Sequence, residues 1–313
     1  RRRHTRYPLV TGVQTCALPI YDRYRGLGLS TKQAADGDKT SRGEGSNKVI
    51  RLSASMQFLK TRIIEHRAIA KDTWQVTVTA PELAECGKPG QFVMVRLADC
   101  NDPLIGRALA LYDVGKNDLG VPNTVSLVYV VKGKFTQALS RQQVGQSIEL
   151  WGPLGNAFSQ DSIEHLILVA GGVGITPMLM LANAALGKDN PRQPGFAHRV
   201  TLCYGARSKE YLAGLDRFKA SGVKLDIATE DGSLGIRGRV TDSLERILSD
   251  STERCRIACC GPEPMMQAVG KVASRFSVPC EVSLETPMAC GIGICFTCVA
   301  RSEEHTSELQ SRV

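Results

Sequence analysis

One stretch, from His165 to Pro177, constrains the fold more than any other part of this sequence. It reads His-Leu-Ile-Leu-Val-Ala-Gly-Gly-Val-Gly-Ile-Thr-Pro, a continuous apolar run that ends in a glycine turn. A strand buried on both faces of a parallel sheet requires such a run, and Pro177 is tolerated in the first turn of a following helix. Strand, glycine turn and helix N-terminus together can bind a pyrophosphate. The pattern is not G-x-G-x-x-G, and the glycine cluster alone is a weak signal.

Strands and helices alternate after this stretch. The strands are predicted at Arg199–Tyr204, Lys224–Thr229 and Arg256–Cys260, and the helices at Tyr211–Ser221, Thr241–Leu248 and Met265–Phe276. The alternation predicts a doubly wound α/β domain over residues 159–282. Ligands of such domains lie beyond the carboxyl ends of the strands, where the turns at 171–174 and 260–262 would both be found. Cys260 is either a residue beside a cofactor or a small core residue, and spacing alone favours the core.

The part before this domain, residues 56–158, has a different pattern of short strands separated by turn signals. The strands are predicted at Lys60–Ile69, Trp74–Thr79, Gln91–Leu97, Ala108–Tyr112, Val125–Val131 and Ser147–Trp151. Pro81, Pro89-Gly90, Asp102-Pro103 and Gly145 mark turns. With one brief helix at Thr136–Arg141, these strands predict a small antiparallel β-barrel.

Two places in the predicted barrel are candidates for binding a charged ligand. Arg107 opens a run of apolar residues as a single cation, although an arginine at a strand end commonly extends to water. The segment Gly133-Lys134-Phe135-Thr136 precedes the short helix, so its free amides and the Thr136 hydroxyl could receive a phosphate. An ordinary helix cap explains the same segment, and on this segment alone it is the better explanation.

Near the end of the chain, three cysteines follow the spacing C-x4-C-x2-C. They are Cys290, Cys295 and Cys298 in the stretch Met-Ala-Cys-Gly-Ile-Gly-Ile-Cys-Phe-Thr-Cys. This is the plant-type pattern of a [2Fe-2S] cluster, and the glycines suit a loop whose amides approach the sulfurs. A structural zinc site or reduced thiols in a turn are the alternatives, but zinc sites usually have a second Cys or His pair. A cluster also needs a fourth thiolate, and no cysteine follows Cys298.

The two ends of the chain are related to each other. Residues 301–311 back-translate to an oligonucleotide whose reverse complement, extended by one base, encodes residues 10–20. We expect such a match from a sequencing adapter translated on both sides of an insert. Residues 1–55 are therefore interpreted as non-native or disordered, residues 301–313 as a non-native tail, and residues 283–300 as a partial cluster segment whose fourth cysteine the tail has replaced.

Composition limits the remaining classes of function. The formal net charge is +8, but residues 1–53 contribute +7 and residues 301–313 contribute −1. The body thus carries little excess charge, which argues against a nucleic-acid or anionic-membrane partner. No apolar run approaches the roughly 18 residues of a membrane span. Of the eleven cysteines, those outside the C-terminal loop are scattered in apolar context, as reduced core cysteines are, so we expect a cytoplasmic protein.

Several motifs in one order resemble those of the ferredoxin-NADP reductase superfamily, and within it the electron-transfer subunits of dihydroorotate dehydrogenase B. The motifs are Arg107-Ala108-Leu109-Ala110, Gly152-Pro153-Leu154-Gly155-Asn156, the glycine turn at 171–174 with Thr176-Pro177, Glu230-Asp231-Gly232-Ser233, Cys260-Gly261-Pro262 and the segment from Ser283 to Cys295. The resemblance covers residues 58–300, and its last stretch is the most specific.

The resemblance implies a set of cofactor-binding residues. FAD would lie on the barrel, with the flavin and its phosphate at Arg107, Ala108, Leu109 and Ala110, the adenosine side at Val128, Tyr129 and Val130, and the pyrophosphate at Phe135 and Thr136. NAD would use Gly171, Gly172, Gly174 and Pro177, with Cys260 and Gly261 near the nicotinamide. Cys290, Cys295 and Cys298 would bind the cluster. The family usually has Arg-Pro-hydrophobic-Ser at 107–110 and Gly-Thr at 135–136, so this chain lacks one hydroxyl contact to the flavin and departs at one phosphate contact.

The function implied is that of an electron-transfer subunit in pyrimidine (UMP) biosynthesis. Electrons from a catalytic, dihydroorotate-oxidising partner subunit would pass through the [2Fe-2S] cluster and FAD to NAD, with flavin converting single electrons into a hydride. No His/Asp or Ser/His constellation is needed for this chemistry, and His165 and His198 are interpreted as structural. The alternatives are a related reductase subunit, of the ferredoxin:NADP oxidoreductase or sulfide dehydrogenase type, and a non-redox zinc module. Arg207-Ser208 could receive a 2′-phosphate and favour NADP.

Overall fold

The computed structural model describes residues 13–14, 56–189, 194–285, 287–292 and 294–295. The first described strand, β1, is Val13–Gln14. Within the described part of the chain, no helix combines the length and the apolar character that crossing a membrane requires. The predictions made for the remaining residues, including Cys298 and the tail from 301, lie outside the described residues.

The first half of the described chain forms a closed antiparallel barrel. Its strands are β2 (Gln57–Ala70), β3 (Thr73–Thr79), β4 (Phe92–Leu97), β5 (Arg107–Lys116), β6 (Pro122–Val130) and β7 (Ser147–Leu154). They close in the order β2-β3-β6-β5-β4-β7. Helix α1 (Pro81–Cys86) follows β3, and α2 (Lys134–Leu139) connects β6 to β7.

Side chains of the barrel strands alternate between its interior and its outer surface. In β5, Leu109 and Leu111 point inward to the apolar core, so Ala108 and Ala110 point outward. In β4, Val93 and Val95 belong to the same core, and Phe92 and Met94 form a separate outer cluster with Leu154. This outer cluster is buried, which shows that another part of the chain covers this side of the barrel.

The second half forms a sheet in which every strand pair is parallel. Its strands are β8 (Ile163–Gly171), β9 (Ala197–Ala206), β10 (Lys224–Thr229), β11 (Ile236–Arg237), β12 (Cys255–Cys260) and β13 (Cys280–Ser283). With β1 at one edge, the order is β1-β13-β12-β8-β9-β10-β11. The helices are α3 (Met178–Ala185), α4 (Leu215–Ala220), α5 (Val240–Ser249) and α6 (Glu263–Arg275).

Both faces of this sheet are buried, as the apolar run at its centre predicts. Along β8, Leu166 and Leu168 pack into one core with α3 and α4, whereas Ile167 and Val169 pack into another with α5 and α6. Each residue of β8 therefore faces a layer of helices, which is why the sequence shows no polar alternation there. The predicted barrel and the predicted doubly wound sheet are both confirmed.

Two local predictions need correction. The helix predicted at Tyr211–Ser221 is a short 3₁₀ turn at Lys209–Tyr211 followed by α4. Gly214 separates them because its φ of +70° is left-handed, and a β-carbon there would overlap the Tyr112 hydroxyl. Pro81 begins α1 rather than a turn, since proline suits the first position of a helix. Strand β13 was not predicted.

The barrel and the α/β sheet are joined by ion pairs. Asp113 of β5 binds Arg217 of α4, and Lys71, in the turn between β2 and β3, binds Glu210 at 2.8 Å. The Asp113 side chain is only 13% exposed, and burial raises the pKa of its carboxyl, an effect that the Arg217 charge opposes. This contact fixes β5 relative to the sheet, and the site described next lies along β5.

Candidate functional site

The outer surface of the barrel carries two rows of neighbouring side chains across strands β5, β4 and β7. Strand register pairs Ala110 with Phe92 and Phe92 with Leu154 in the first row. In the second row it pairs Ala108 with Met94 and Met94 with Trp151, which in turn lies opposite Phe58 of β2. The β5 end of both rows consists of alanines, so this part of the surface is flat and without bulky side chains.

An open cleft lies between this surface and the carboxyl ends of β8, β12 and β13. Its space is about 490 Å³ when counted out to solvent. The barrel contributes Gly90, Phe92, Ala108, Ala110, Gly155 and Asn156. The α/β sheet contributes Thr176, Pro177, Cys260, Ser283, Leu284 and Glu285. Small residues on the barrel side leave room for a planar group, as a flavin ring requires, and a cleft at the carboxyl ends of parallel strands is where such sheets bind ligands.

The three glycines of the turn at 171–174 have different structural roles. A β-carbon on Gly174 would overlap the Cys260 carbonyl, and one on Gly171 would overlap the Met265 sulfur. These two glycines therefore allow the ends of β8 and β12 to pack closely together. Gly172 has a left-handed φ of +53°, and a β-carbon there would meet nothing within 4 Å, so only Gly172 faces open space that a phosphate could occupy. A β-carbon on Gly261 would likewise come within 3.0 Å of the Gly171 amide nitrogen, so Gly261 belongs to the same close contact.

A buried tyrosine holds this turn in place. The Tyr204 hydroxyl donates a hydrogen bond to the Gly172 carbonyl at 3.0 Å and accepts one from the Ala213 amide at 3.1 Å. Burial raises the pKa of Tyr204 to about 12, so the hydroxyl stays protonated and remains a donor at neutral pH. The turn that follows β8 is thus fixed from the neighbouring strand β9.

The segment that begins at Met288 and carries Cys290 and Cys295, called the cysteine loop below, packs against the same outer surface of the barrel as the cleft. Trp151 donates its indole N–H to the Cys290 carbonyl at 3.0 Å. Gly291, whose φ is +71°, lies so close to Met94 that a β-carbon would overlap its side chain. Cys290 is half-buried and Cys295 is exposed; Cys298 lies outside the described residues. Among the residues that the structure describes, no three His, Cys, Asp or Glu side chains are grouped to hold a metal ion.

Four residues from the sequence predictions line the cleft: Ala108, Ala110, Pro177 and Cys260. Other predicted residues have different environments. Arg107 is exposed and donates to the carbonyls of Ile105 and Gly106, and the Leu109 side chain lies in the barrel core. Arg107 directly precedes Ala108, and Leu109 lies between the two alanines that face the cleft.

The predicted adenosine and pyrophosphate segments lie on β6 and α2. Val128 and Tyr129 are buried and Val130 is half-buried, and the Tyr129 hydroxyl is 2.8 Å from His66 Nε2. The Phe135 side chain is buried in the barrel core. The Thr136 hydroxyl caps α2, accepting from the amides of Lys132 and Gly133. Because the Gly133 amide and the Thr136 hydroxyl are already engaged in this cap, the amides of Lys134 and Phe135 are the groups of this helix start that a phosphate could contact.

Eight of the twelve residues that line the cleft were not predicted as site residues. Six of these eight belong to motifs that the resemblance included, namely Gly155, Asn156, Thr176, Ser283, Leu284 and Glu285, whereas Gly90 and Phe92 lie outside those motifs. Register could have found Phe92, because a residue opposite Ala110 on the next strand must share its face.

Two family models match the chain. The oxidoreductase FAD-binding domain matches residues 60–158, and the oxidoreductase NAD-binding domain matches residues 168–271. The first range includes the whole barrel from β3 to β7, and the second includes the glycine turn and the Cys260 turn.

The relatives have one name in common. The chain is 32% identical over 238 residues to "Dihydroorotate dehydrogenase B (NAD(+)), electron transfer subunit" of Desulforamulus reducens, covering 76% of this chain and 86% of the relative. It is 34% identical over 243 residues to the protein of the same name from Geobacillus thermodenitrificans, with the same coverage.

Solved structures share the fold. The structure of an NADH-dependent reduced ferredoxin-NADP oxidoreductase, studied for flavin-based electron bifurcation, matches with a TM-score of 0.65 and 30% identity over 76% of this chain and 80% of that chain. A ferredoxin reductase of carbazole 1,9a-dioxygenase matches with a TM-score of 0.60 over 73% of this chain and 69% of that chain, and at 18% identity it supports the fold alone.

Proposed function

This chain belongs to the family of dihydroorotate dehydrogenase B electron transfer subunits, and from that premise we propose that it passes electrons from a dihydroorotate-oxidising partner subunit to NAD in pyrimidine biosynthesis. A bound flavin supplies the chemistry for this, because it accepts single electrons and exchanges a hydride with a nicotinamide. The observation that carries the proposal is that the cleft and the cysteine loop share one surface of the barrel, with Phe92, Met94 and Leu154 between them.

The barrel side of the cleft fits a flavin ring. Ala108 and Ala110 provide a flat strand surface, and Gly90 and Gly155 leave its edge open. Gln91 donates to the Gly155 carbonyl at 3.0 Å and so fixes that edge. Arg107, at the start of the same strand, would place a cation near the flavin phosphate, and the amides at the start of α2 would face the pyrophosphate.

The α/β side of the cleft fits a nicotinamide. Pro177 and Cys260 come from two adjacent strand ends and line the cleft opposite the alanines. A nicotinamide held there would lie against the flavin ring, and both rings would be shielded from water on two sides. Gly172 would receive the pyrophosphate, with its turn fixed by Tyr204.

NAD is preferred over NADP in this proposal. The loop Glu230–Ser233 follows β10 and lies against the segment after β9, where the Asp231 amide donates to the Arg207 carbonyl at 3.2 Å. Hydrogen bonding from Ser233 lowers the pKa of the Asp231 carboxyl, and an aspartate is ionised at neutral pH with or without such a shift. This negative charge would repel a 2′-phosphate beside Arg207, whereas it would not repel an uncharged ribose hydroxyl.

The cysteine loop is the proposed cluster site. Cys290, Cys295 and Cys298 have the plant-type spacing, and Gly291 allows the loop to approach the barrel closely. The Ile292 amide donates to the Cys290 sulfur at 3.4 Å, as amides do to cluster thiolates. A structural zinc on these cysteines would not account for the position of the loop beside the cleft.

The partner subunit docks over the cysteine loop, since electrons must enter there. Exposed apolar side chains lie on the barrel near Trp151, which contacts the loop: Phe58 is 65% exposed, and Leu104 and Ile105, just before Gly106, are 59% and 50% exposed. Phe58 stacks on Trp151, and Gly106 after Ile105 touches the same indole, so the patch is continuous with the loop. Exposed apolar patches of this kind are typical of protein interfaces. The free cysteines of the described chain suit a cytoplasmic complex.

Co-purification with the catalytic subunit tests this function. The complex should reduce NAD when dihydroorotate is added, and the Ile105→Asp variant should lose the partner. Leu119→Asp is the matched control, because Leu119 is 86% exposed but follows the opposite end of β5. If the complex forms only with ferredoxin and prefers NADPH, the chain is instead a reductase of the type that the 30%-identical structure represents.

A further inference from the structure

Trp151 has an unusual combination of contacts for an aromatic residue on the outside of a barrel. Its ring stacks on Phe58 with centroids 6.2 Å apart and an interplanar angle of 25°. Its far edge lies against Gly106, where a β-carbon would come within 2.7 Å of the ring. Its N–H is directed away from the barrel to the Cys290 carbonyl at 3.0 Å. The indole is therefore held on two sides by the barrel, with its one hydrogen-bond donor directed to the cysteine loop.

The loop meets the barrel at a second point beside this hydrogen bond. Gly291 is packed against Met94 and Leu154, and Met288 packs on the cluster formed by Phe92, Met94 and Leu154. Met94 is the neighbour of both Trp151 and Ala108 in the strand register. The same few side chains thus contact the loop on one side and border the cleft on the other.

We propose that Trp151 is a positioning residue, which fixes the cysteine loop on the flavin-binding barrel by holding the carbonyl of Cys290. The proposal deepens the proposed function and rests on it for the identity of the redox groups. Cys290 would supply a thiolate to the cluster, so fixing its backbone fixes one corner of the cluster relative to the flavin. Electron transfer slows steeply with distance, and a loop free to move would vary that distance.

A purely structural aromatic would act differently. If Trp151 only fills space on β7, its replacement by phenylalanine keeps the stack on Phe58 and leaves the loop unchanged. If Trp151 positions the loop, the same replacement removes only the N–H and releases Cys290. Trp74 provides the matched control, because it is the other tryptophan of the chain and packs on His66 with centroids 4.9 Å apart, away from the loop.

Thiol alkylation of the iron-free protein, followed residue by residue by mass spectrometry, tests the proposal. In Trp151→Phe the labelling of Cys290 should become about fivefold faster, the factor that corresponds to about 1 kcal/mol for one hydrogen bond. Labelling of the exposed Cys295 should change little, and Trp74→Phe should label as the wild type does. Equal Cys290 rates in Trp151→Phe and wild type, with unchanged melting temperature, would overturn the proposal.

The reconstituted protein provides a readout that separates this proposal from the proposed function. With iron and FAD bound, Trp151→Phe should keep the rate of flavin reduction by NADH and slow electron exchange between flavin and cluster. An unchanged exchange rate argues against the positioning role. If neither the wild type nor Trp151→Phe assembles a cluster when the loop is supplied with a fourth cysteine, the proposed cluster site is wrong. The alkylation result would still decide whether Trp151 holds the loop.

Discussion

Gly174 and Cys260 meet backbone to backbone, because a β-carbon on Gly174 would overlap the Cys260 carbonyl oxygen. The contact joins the turn after β8 to the turn after β12 and sets the floor of the cleft on the side of the α/β sheet. These two turns, both of which are predicted to contact a ligand, also pack directly against each other.

Gly174→Ala should separate these turns. We expect a loss of NAD affinity of at least tenfold and a lower melting temperature, because the overlap is with backbone atoms that cannot rotate away. Gly172→Ala is the comparison, since its β-carbon meets nothing within 4 Å and costs only the strain of a left-handed φ, about 1 kcal/mol. Calorimetry of both variants tests whether Gly174→Ala loses more stability than Gly172→Ala. A Gly172→Ala protein that is less stable than Gly174→Ala would contradict this prediction.

Ala110→Leu should exclude flavin from the cleft. Ala110 lines the cleft on the outer face of β5, so a larger side chain there occupies the space of the ring without disturbing the barrel core. The purified variant should contain little FAD after reconstitution, as measured by flavin absorbance per protein. Ala110→Ser, which adds the hydroxyl that the resemblance leads us to expect at this position, should retain FAD fully; equal flavin content in both variants would show that the ring binds elsewhere.

Arg217→Leu should destabilise the contact between the barrel and the α/β sheet. The replacement leaves the buried Asp113 carboxylate without its partner, and because Arg217 itself is 46% exposed we expect a cost of about 1–2 kcal/mol rather than the full cost of a buried pair. Chemical denaturation measures it. Lys60→Met breaks the exposed pair with Asp99 and should change stability by less than about 0.5 kcal/mol, so similar losses in both variants would contradict the interpretation.

His165 should make stability depend on pH. The side chain is buried at the amino end of the sheet, where its Nδ1 accepts from Arg199 at 3.1 Å and its Nε2 contacts the Thr201 hydroxyl at 2.8 Å. Burial, with the charge of Arg199 adding to it, lowers its pKa from 6.5 to about 4. Between these values the unfolded chain binds more protons, so stability rises with pH through this window and is fully present above it.

The expected size of this effect is about 3 kcal/mol between pH 4 and neutral pH. His165→Gln should flatten the pH dependence of the unfolding free energy in this window, as measured by urea denaturation at several pH values. His198→Gln, at an exposed position of β9, should keep the wild-type slope. A steep slope that persists in His165→Gln assigns the effect to other groups.

Most strands of the barrel and of the central sheet were predictable because their signals are local, whereas β11 and β13 were not predicted. Lys224–Thr229 was predicted with the bounds that the structure has, since a turn lies on each side of it. The apolar run of β8 predicted burial on both faces, and the glycine turn predicted the end of the strand. The break at Gly214 was not predictable locally, because its cause is the Tyr112 hydroxyl from the barrel.

The cleft was only partly predictable for the same physical reason. Ala108 and Ala110 were predicted as site residues only through the family resemblance, since nothing in an alanine marks it as ligand-facing. Thr176 and Glu285 line the cleft only because the barrel and the sheet meet there. The role of Trp151 depends on a hydrogen bond to Cys290, 139 residues away in sequence, and no spacing rule connects them.

Anaerobic titration of the FAD-reconstituted protein with NADH tests the central claim most directly, which is that one cleft holds the flavin and the nicotinamide together. We predict that the protein retains FAD and that stoichiometric NADH bleaches its visible absorption, whereas Ala110→Leu gives no bleaching because it holds no flavin. A protein that retains no FAD, or one whose bound FAD keeps its absorption when NADH is in excess, would contradict the account.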